Sequence, residues 1–262
     1  MQAAVKIVST CGDAAQDVRE LVHQLGGIER FVQPNERVLI KPSCNSPDGF
    51  PATTDLQVIS TMVELVRTRT RHVTVGDSSG FINKPTNIAF EGMGLTLLAK
   101  EMHFPLVNFD DYEWVARQDA RAAHLKEVHV TSLLDRFDRL IFLPTMRTHA
   151  WARITMSLKI GMGLIPVTDR KHMHRTALEE MIGELNLYFQ PDLIVLDGRR
   201  CFITGGPDSG DEREPRVLLG GTGRVAIDTE AVRILQRYGA AQLEMPAEDV
   251  PMIRAARELG LP

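Results

Sequence analysis

The chain reads as an α/β protein: a largely parallel, mixed sheet with helices on both faces, in Rossmann-like layers. Three observations predict this. Short apolar strand-like runs alternate regularly with amphipathic helical stretches. The runs are apolar throughout rather than every second residue, as in strands covered on both faces. The 262 residues, 44% hydrophobic, show no repeat, low-complexity tract or linker, so one domain with a large core is expected, with room for a small embedded lobe.

The elements follow in order. Val5 to Ser9 predicts a strand, and Asp13 to Leu25 a helix with Val18, Leu21, Val22 and Leu25 on one face, stopped by Gly26 and Gly27. Arg37 to Ile40 is a second strand. Asp55 to Arg67 is helical through Ile59, Met62, Val63 and Val66, with Thr54 or Asp55 as cap. His72 to Val75 is a third strand, running into Gly76-Asp77-Ser78-Ser79-Gly80. One helix is expected from Asn87 to Met102, then strands at Leu106 to Phe109, Val128 to Thr131 and Arg139 to Leu143. Thr176 and Glu179 form a capping box for a helix reaching Phe189. Asp192 to Leu196 is a buried strand, Val217 to Leu219 and Val225 to Ile227 are short ones, and two helices finish the chain.

Bulk properties exclude several classes. A net charge of −4 disfavours non-specific nucleic-acid binding, and no apolar run is long enough to span a membrane. The first strand follows the N-terminus with no signal-peptide pattern, so a cytoplasmic location is expected. There is no Walker A loop, no G-x-G-x-x-G after the first strand and no G-x-S-x-G.

Chemistry concentrates at strand ends. In an open parallel sheet, ligands sit where the carboxyl ends of the strands meet their loops. Cys11, Cys44 and Cys201 each lie just past a predicted strand. Should they converge, three thiolates with a fourth position open would suit an iron–sulfur cluster or a thiophilic metal. Unrelated reduced thiols are the alternative. Lys41 ends the second strand, Asp77-Ser78-Ser79 the third, and Asp197 the run LIVL.

Arg147 to Arg175 gathers Arg147, Arg153, Lys159, Arg170, Lys171 and Arg175 with His149, His172 and His174, against one acid, Asp169. Such a segment in an acidic protein suits a carboxylate or phosphate. Lys159 stands among apolar neighbours, where a cation needs a partner or suffers a lowered pKa. His149 follows a strand and Thr148, a position suited to a base or ligand. His172 and His174 could chelate a single divalent metal on extended backbone, with His149, Asp77 or Asp197 completing the set.

These segments stand as VLIKPSCN, ATTDLQ, VGDSSG, PTMRTH, ITMSLKIGMGLIP, RKHMH, PDLIVLDG, GGPDSG and RVAIDTEAV. In that order and spacing the chain resembles the family called "domain of unknown function 362", in a short form lacking the family's ferredoxin-like Cys-rich segment. Ser43-Cys44, Arg147, Ile160 and Gly223 depart from the pattern. The resemblance implies an α/β fold and a link to iron–sulfur or redox biology, and supplies no settled reaction. Its fold also looks distantly similar to the lactate-racemase catalytic subunit, a likeness at fold level only.

Three readings follow. The first is an enzyme on a small anionic substrate, a metal- or cluster-dependent lyase or oxidoreductase. In it His149, Lys159 and Asp77 are catalytic, Lys41, Ser78, Ser79, Arg147, Thr148, Arg153, Lys171 and Asp197 bind substrate, and Cys11, Cys44 and Cys201 hold the metal. The second replaces the thiols by His149, His172 and His174, in a racemase-like metal site. The third is an accessory protein that delivers a metal, cluster or electrons to a partner enzyme. Self-association is compatible with each.

Overall fold

The computed structural model describes residues 5–262. Strand β1 (Lys6–Ser9) leads to helix α1 (Ala14–Gln24), capped by Asp13, whose carboxylate accepts the N–H groups of Ala15 and Gln16. Then come β2 (Val38–Pro42), α2 (Leu56–Arg67) and β3 (Val73–Asp77). The single helix expected to Met102 is two, α3 (Thr86–Gly92) and α4 (Leu95–Met102). Gly94 between them takes φ +85°, a left-handed conformation that breaks the helical run.

Strands β4 (Leu106–Asn108), β5 (Trp114–Gln118), β6 (Glu127–Thr131), β7 (Arg139–Leu143), β8 (Thr145–His149) and β9 (Arg153–Ile154) precede α5 (Val167–Arg175) and α6 (Leu178–Leu185). The expected capping box does not form. Thr176 ends α5, donating its hydroxyl to the His172 carbonyl at 2.9 Å, and Glu179 pairs with Arg153. Strands β10 (Leu193–Phe202), β11 (Glu212–Arg213) and β12 (Val217–Gly221) and helices α7 (Arg224–Arg237) and α8 (Pro251–Glu258) complete the chain. Val225 to Ile227, read as a strand, opens α7, with the Ile227 N–H on the Gly223 carbonyl at 3.1 Å.

The main sheet has the order β1-β12-β10-β7-β2-β3-β4. Neighbours from β10 to β4 are parallel, while β12 runs antiparallel to both β1 and β10. From β2 the chain builds outward through β3 to β4, and from β7 it builds the other way to β10. The β2/β7 junction is therefore a topological switch point, and the carboxyl ends of β2, β3 and β7 meet above it. Thr54 ties that junction together, donating to the Leu143 carbonyl at 2.6 Å and accepting the Ser43 N–H at 2.8 Å.

Strand side chains alternate between two cores even where every residue is buried. Val38, Ile40, Ile141 and Leu143 pack with Val18, Leu21, Val58, Ile59 and Met62 of α1 and α2. Leu39, Leu140, Phe142, Ile194 and Leu196 pack with Ile182, Leu185, Ala231, Leu235 and Ile253 of α6, α7 and α8. Burying one Leu or Ile side chain contributes about 1.5–3 kcal/mol, which explains why both faces need a helical cover. The β5–β6 hairpin pairs only with itself, yet Val128 and Val130 pack into the second core. Among the described residues no helix is long and apolar enough to cross a membrane.

Candidate functional site

Pro144 separates β7 from β8, and β10 pairs in parallel with each in turn. The chain thus rises past the sheet edge as β8 and places Arg147 and His149 beside the ends of β2 and β3. Together with the 159–163 turn, α5 and the 206–208 loop they enclose a cavity of about 420 Å³. Lys41, Cys44, Asp77, Ser78, Arg147, His149, Lys159, Arg170, His174 and Asp208 all line it.

Its floor is an ion pair. Lys41 Nζ lies 2.7 Å from Asp77 Oδ1, with both side chains almost wholly buried. Asp77 also accepts the N–H groups of Cys44 at 2.9 Å and Ser78 at 2.7 Å. Burial draws the Lys41 amine below its ordinary pKa, and the Asp77 carboxylate opposes that fall. Gly163 covers the pair so closely that a methyl group there would collide with Asp77 Oδ1 and Lys41 Nζ.

Arg170 crosses from α5, its guanidinium donating to the carbonyls of Ile165 at 2.8 Å and Ser79 at 2.6 Å and to Ser78 Oγ at 2.6 Å. Arg147 donates to the carbonyls of Ala52 and Pro207, and its buried Nε has no partner. Burial lowers both guanidinium pKa values to about 10, so both stay charged at neutral pH.

Lys159 differs from the other cations. Its side chain is buried, yet among the described residues Nζ has neither a hydrogen bond nor a salt bridge, and it lines the cavity. Burial, with Arg147 and Arg170 adding repulsion and the Asp208 carboxylate of the same cavity opposing them, lowers its pKa to about 7. The turn that presents it is gripped from α7. The two oxygens of buried Asp228 accept the N–H groups of Ser157 and Leu158, each at 2.8 Å. Asp228→Asn keeps one acceptor and strands one N–H. It is expected to cost about 1–3 kcal/mol in chemical denaturation and to loosen the Lys159 turn; an unchanged denaturation midpoint would contradict the grip.

The two cavity histidines hold opposite tautomers. His149 Nδ1 accepts the N–H groups of Trp151 at 3.0 Å and Ala152 at 3.1 Å, so its proton sits on Nε2. Burial and the neighbouring Lys159 and Arg147 lower its pKa to about 2. His174 Nδ1 lies 2.7 Å from the Arg170 carbonyl, which can only accept, so His174 donates there and keeps a lone pair on Nε2. Burial lowers its pKa as well. His149 is a fixed donor and His174 the ring with a free basic nitrogen. His149, expected on sequence as a base or ligand, thus presents an N–H to the cavity, and His174 presents a lone pair.

Several expected site residues lie elsewhere. Thr148 donates to the Phe202 carbonyl within the sheet, and Ser79 bonds Asn83 and Thr86 beneath the β3 loop. Arg153 pairs with Glu179, and Lys171 is exposed on the outer face of α5. Asp197 is held by Arg199, 2.7 Å away, which also reaches Asp55. His172 and His174 stand on a helix rather than extended backbone, so two residues apart they diverge, and His172 is exposed. Asn45, Thr155, Arg170, Asp208 and Asp228 were not singled out as site residues. All five stand in the motif segments quoted above, Asn45 in VLIKPSCN, Thr155 in ITMSLKIGMGLIP, Arg170 in RKHMH, Asp208 in GGPDSG and Asp228 in RVAIDTEAV, yet nothing in those segments aims them at one cavity.

The three cysteines do not converge. Cys11 is exposed beside α1, four strand spacings from β2, or roughly 19 Å. Cys44 and Cys201 are buried in the opposite cores of the sheet. Burial raises the Cys44 thiol well above its ordinary pKa and that of Cys201 to about 12. No group of three or more His, Cys, Asp or Glu side chains suited to a metal occurs among the described residues. The ligand sets expected for an iron–sulfur cluster or a histidine-bound metal are thus not assembled in this fold.

A switch-point cavity lined by four cations, two carboxylates and two neutral imidazoles marks a doubly covered α/β protein. The description "domain of unknown function 362" matches residues 38–233, three quarters of the chain, and the chain belongs to that family. It is also similar, at 28% identity over 259 residues, to a thylakoid-associated protein of Synechocystis sp., the match covering 95% of this chain and 76% of that protein.

Proposed function

We propose that this chain is an enzyme acting on a small carboxylate or phosphate bound in the switch-point cavity, working in the cytoplasm. One observation carries the reading: the buried Lys159 ammonium faces the cavity without a partner. A buried cation left unpaired is costly, and an incoming anion offsets that cost. Arg147 and Arg170 add positive field, whereas the Lys41 charge is already matched by Asp77. His149 Nε2–H would donate to a substrate oxygen, and His174 Nε2, which carries a free lone pair, would accept a proton and return it.

The test is calorimetric titration with glyoxylate and with inorganic phosphate across pH. Lys159 carries its charge below about pH 7 and loses it above. Affinity for one of the two anions should therefore fall roughly tenfold between pH 6 and pH 8, and Lys159→Met should abolish that pH dependence. Binding indifferent to both pH and Lys159 would sink the proposal. The exposed Trp151 and Ile82 at the cavity rim favour a second reading, in which that rim docks a partner protein.

A further inference from the structure

We propose that Lys159 is a covalent catalyst, its amine condensing with the carbonyl carbon of a small oxo-acid to form an imine. This inference rests on the anion-pocket reading above and names its substrate class. Four features of the cavity support it.

First, the amine is available. Lys41 lines the same cavity but is tied to Asp77 at 2.7 Å, whereas Lys159 Nζ is bonded to nothing among the described residues. Second, its surroundings favour the unprotonated form. Ile160, Met162 and Trp151 line the cavity with it, and two arginines repel its proton, so a large share of the amine is free at neutral pH. Third, the carboxylate of an oxo-acid meets the positive charge of Arg147, which lines the same cavity. An oxo-acid carries both the anion these cations suit and the electrophilic carbon an amine needs.

Fourth, the two histidines supply the proton traffic such a condensation requires. The amine lone pair forms the N–C bond while the carbonyl π electrons move to oxygen. His149 Nε2–H donates a hydrogen bond to that oxygen as it becomes negative. His174 Nε2 takes a proton from nitrogen and delivers it to the oxygen, giving a carbinolamine, then carries the second N–H proton to the hydroxyl, which leaves as water as the C–O bond breaks and the C=N bond forms. One water is released for each imine formed, and no oxidant or reductant is consumed.

The experiment is reductive trapping. The whole protein is incubated with glyoxylate and sodium cyanoborohydride, digested, and its lysine-containing peptides compared by mass spectrometry. The chain has only seven lysines, so each is resolved. The adduct on Lys159 should exceed that on exposed Lys171 at least tenfold, rise as pH passes through about 7, and leave Lys41 unlabelled. Lys159→Arg should remove that adduct and leave the background on the other lysines unchanged. Labelling of Lys159 no stronger than that of Lys171 overturns the inference. Glyoxylate that binds by calorimetry without being trapped overturns the imine alone and leaves the anion pocket standing. Glyoxylate that neither binds nor is trapped removes the oxo-acid assignment, and phosphate titration then decides the pocket itself.

Discussion

Lys159→Met is expected to stabilise the fold by on the order of 4 kcal/mol at pH 7, because holding the amine at a pKa of about 7 instead of 10.5 costs about that much. Between pH 7 and 10.5 the unfolded chain binds more protons than the folded one, so wild-type stability rises with pH across that window. The advantage of the variant should be largest below pH 7 and vanish as pH approaches 10.5. Urea midpoints of both proteins at pH 6, 7, 8 and 9 would show it. A gap that stays constant with pH would mean that Met packs better and that the buried charge plays no part.

Asp77→Asn should act in the opposite direction, destabilising the protein by about 3–5 kcal/mol, since it leaves the Lys41 ammonium buried without its counter-charge. Asn also offers one acceptor oxygen where Asp77 serves Cys44, Ser78 and Lys41. Adding Lys41→Met to Asp77→Asn should recover most of the loss, since the pair is then absent from both sides. A loss below about 1 kcal/mol, the scale of an exposed pair, would show that water reaches the cavity floor.

Much of this architecture is legible in the residues. Apolar runs such as VLI and LIVL announce buried strands, and Asp13 and Asp55 cap α1 and α2 as their positions imply. Lys159 betrays itself as a lone cation in an apolar stretch. Strand order is less visible, because pairing is decided by tertiary packing. The three cysteines all follow runs that read as strands, yet β10 extends through Cys201, and strand order and face scatter the three across two cores and an exposed turn. A tautomer depends on backbone groups two to four residues away in a particular turn, so the opposite tautomers of His149 and His174 have no trace in composition or spacing. Asp228 stands in the RVAIDTEAV segment, yet its task is hidden there, because its partners lie 70 and 71 residues away.

Asp228 holds residues 157 and 158 by their main-chain N–H groups. A grip of that kind is indifferent to which amino acids occupy the turn. The amine can therefore stay in place while the cavity walls at Ile160, Met162 and Trp151 are exchanged for larger, smaller or more polar groups. The scaffold separates where the reactive group stands from what it is offered. Descendants of one ancestor could in this way come to accept different molecules without rebuilding the fold.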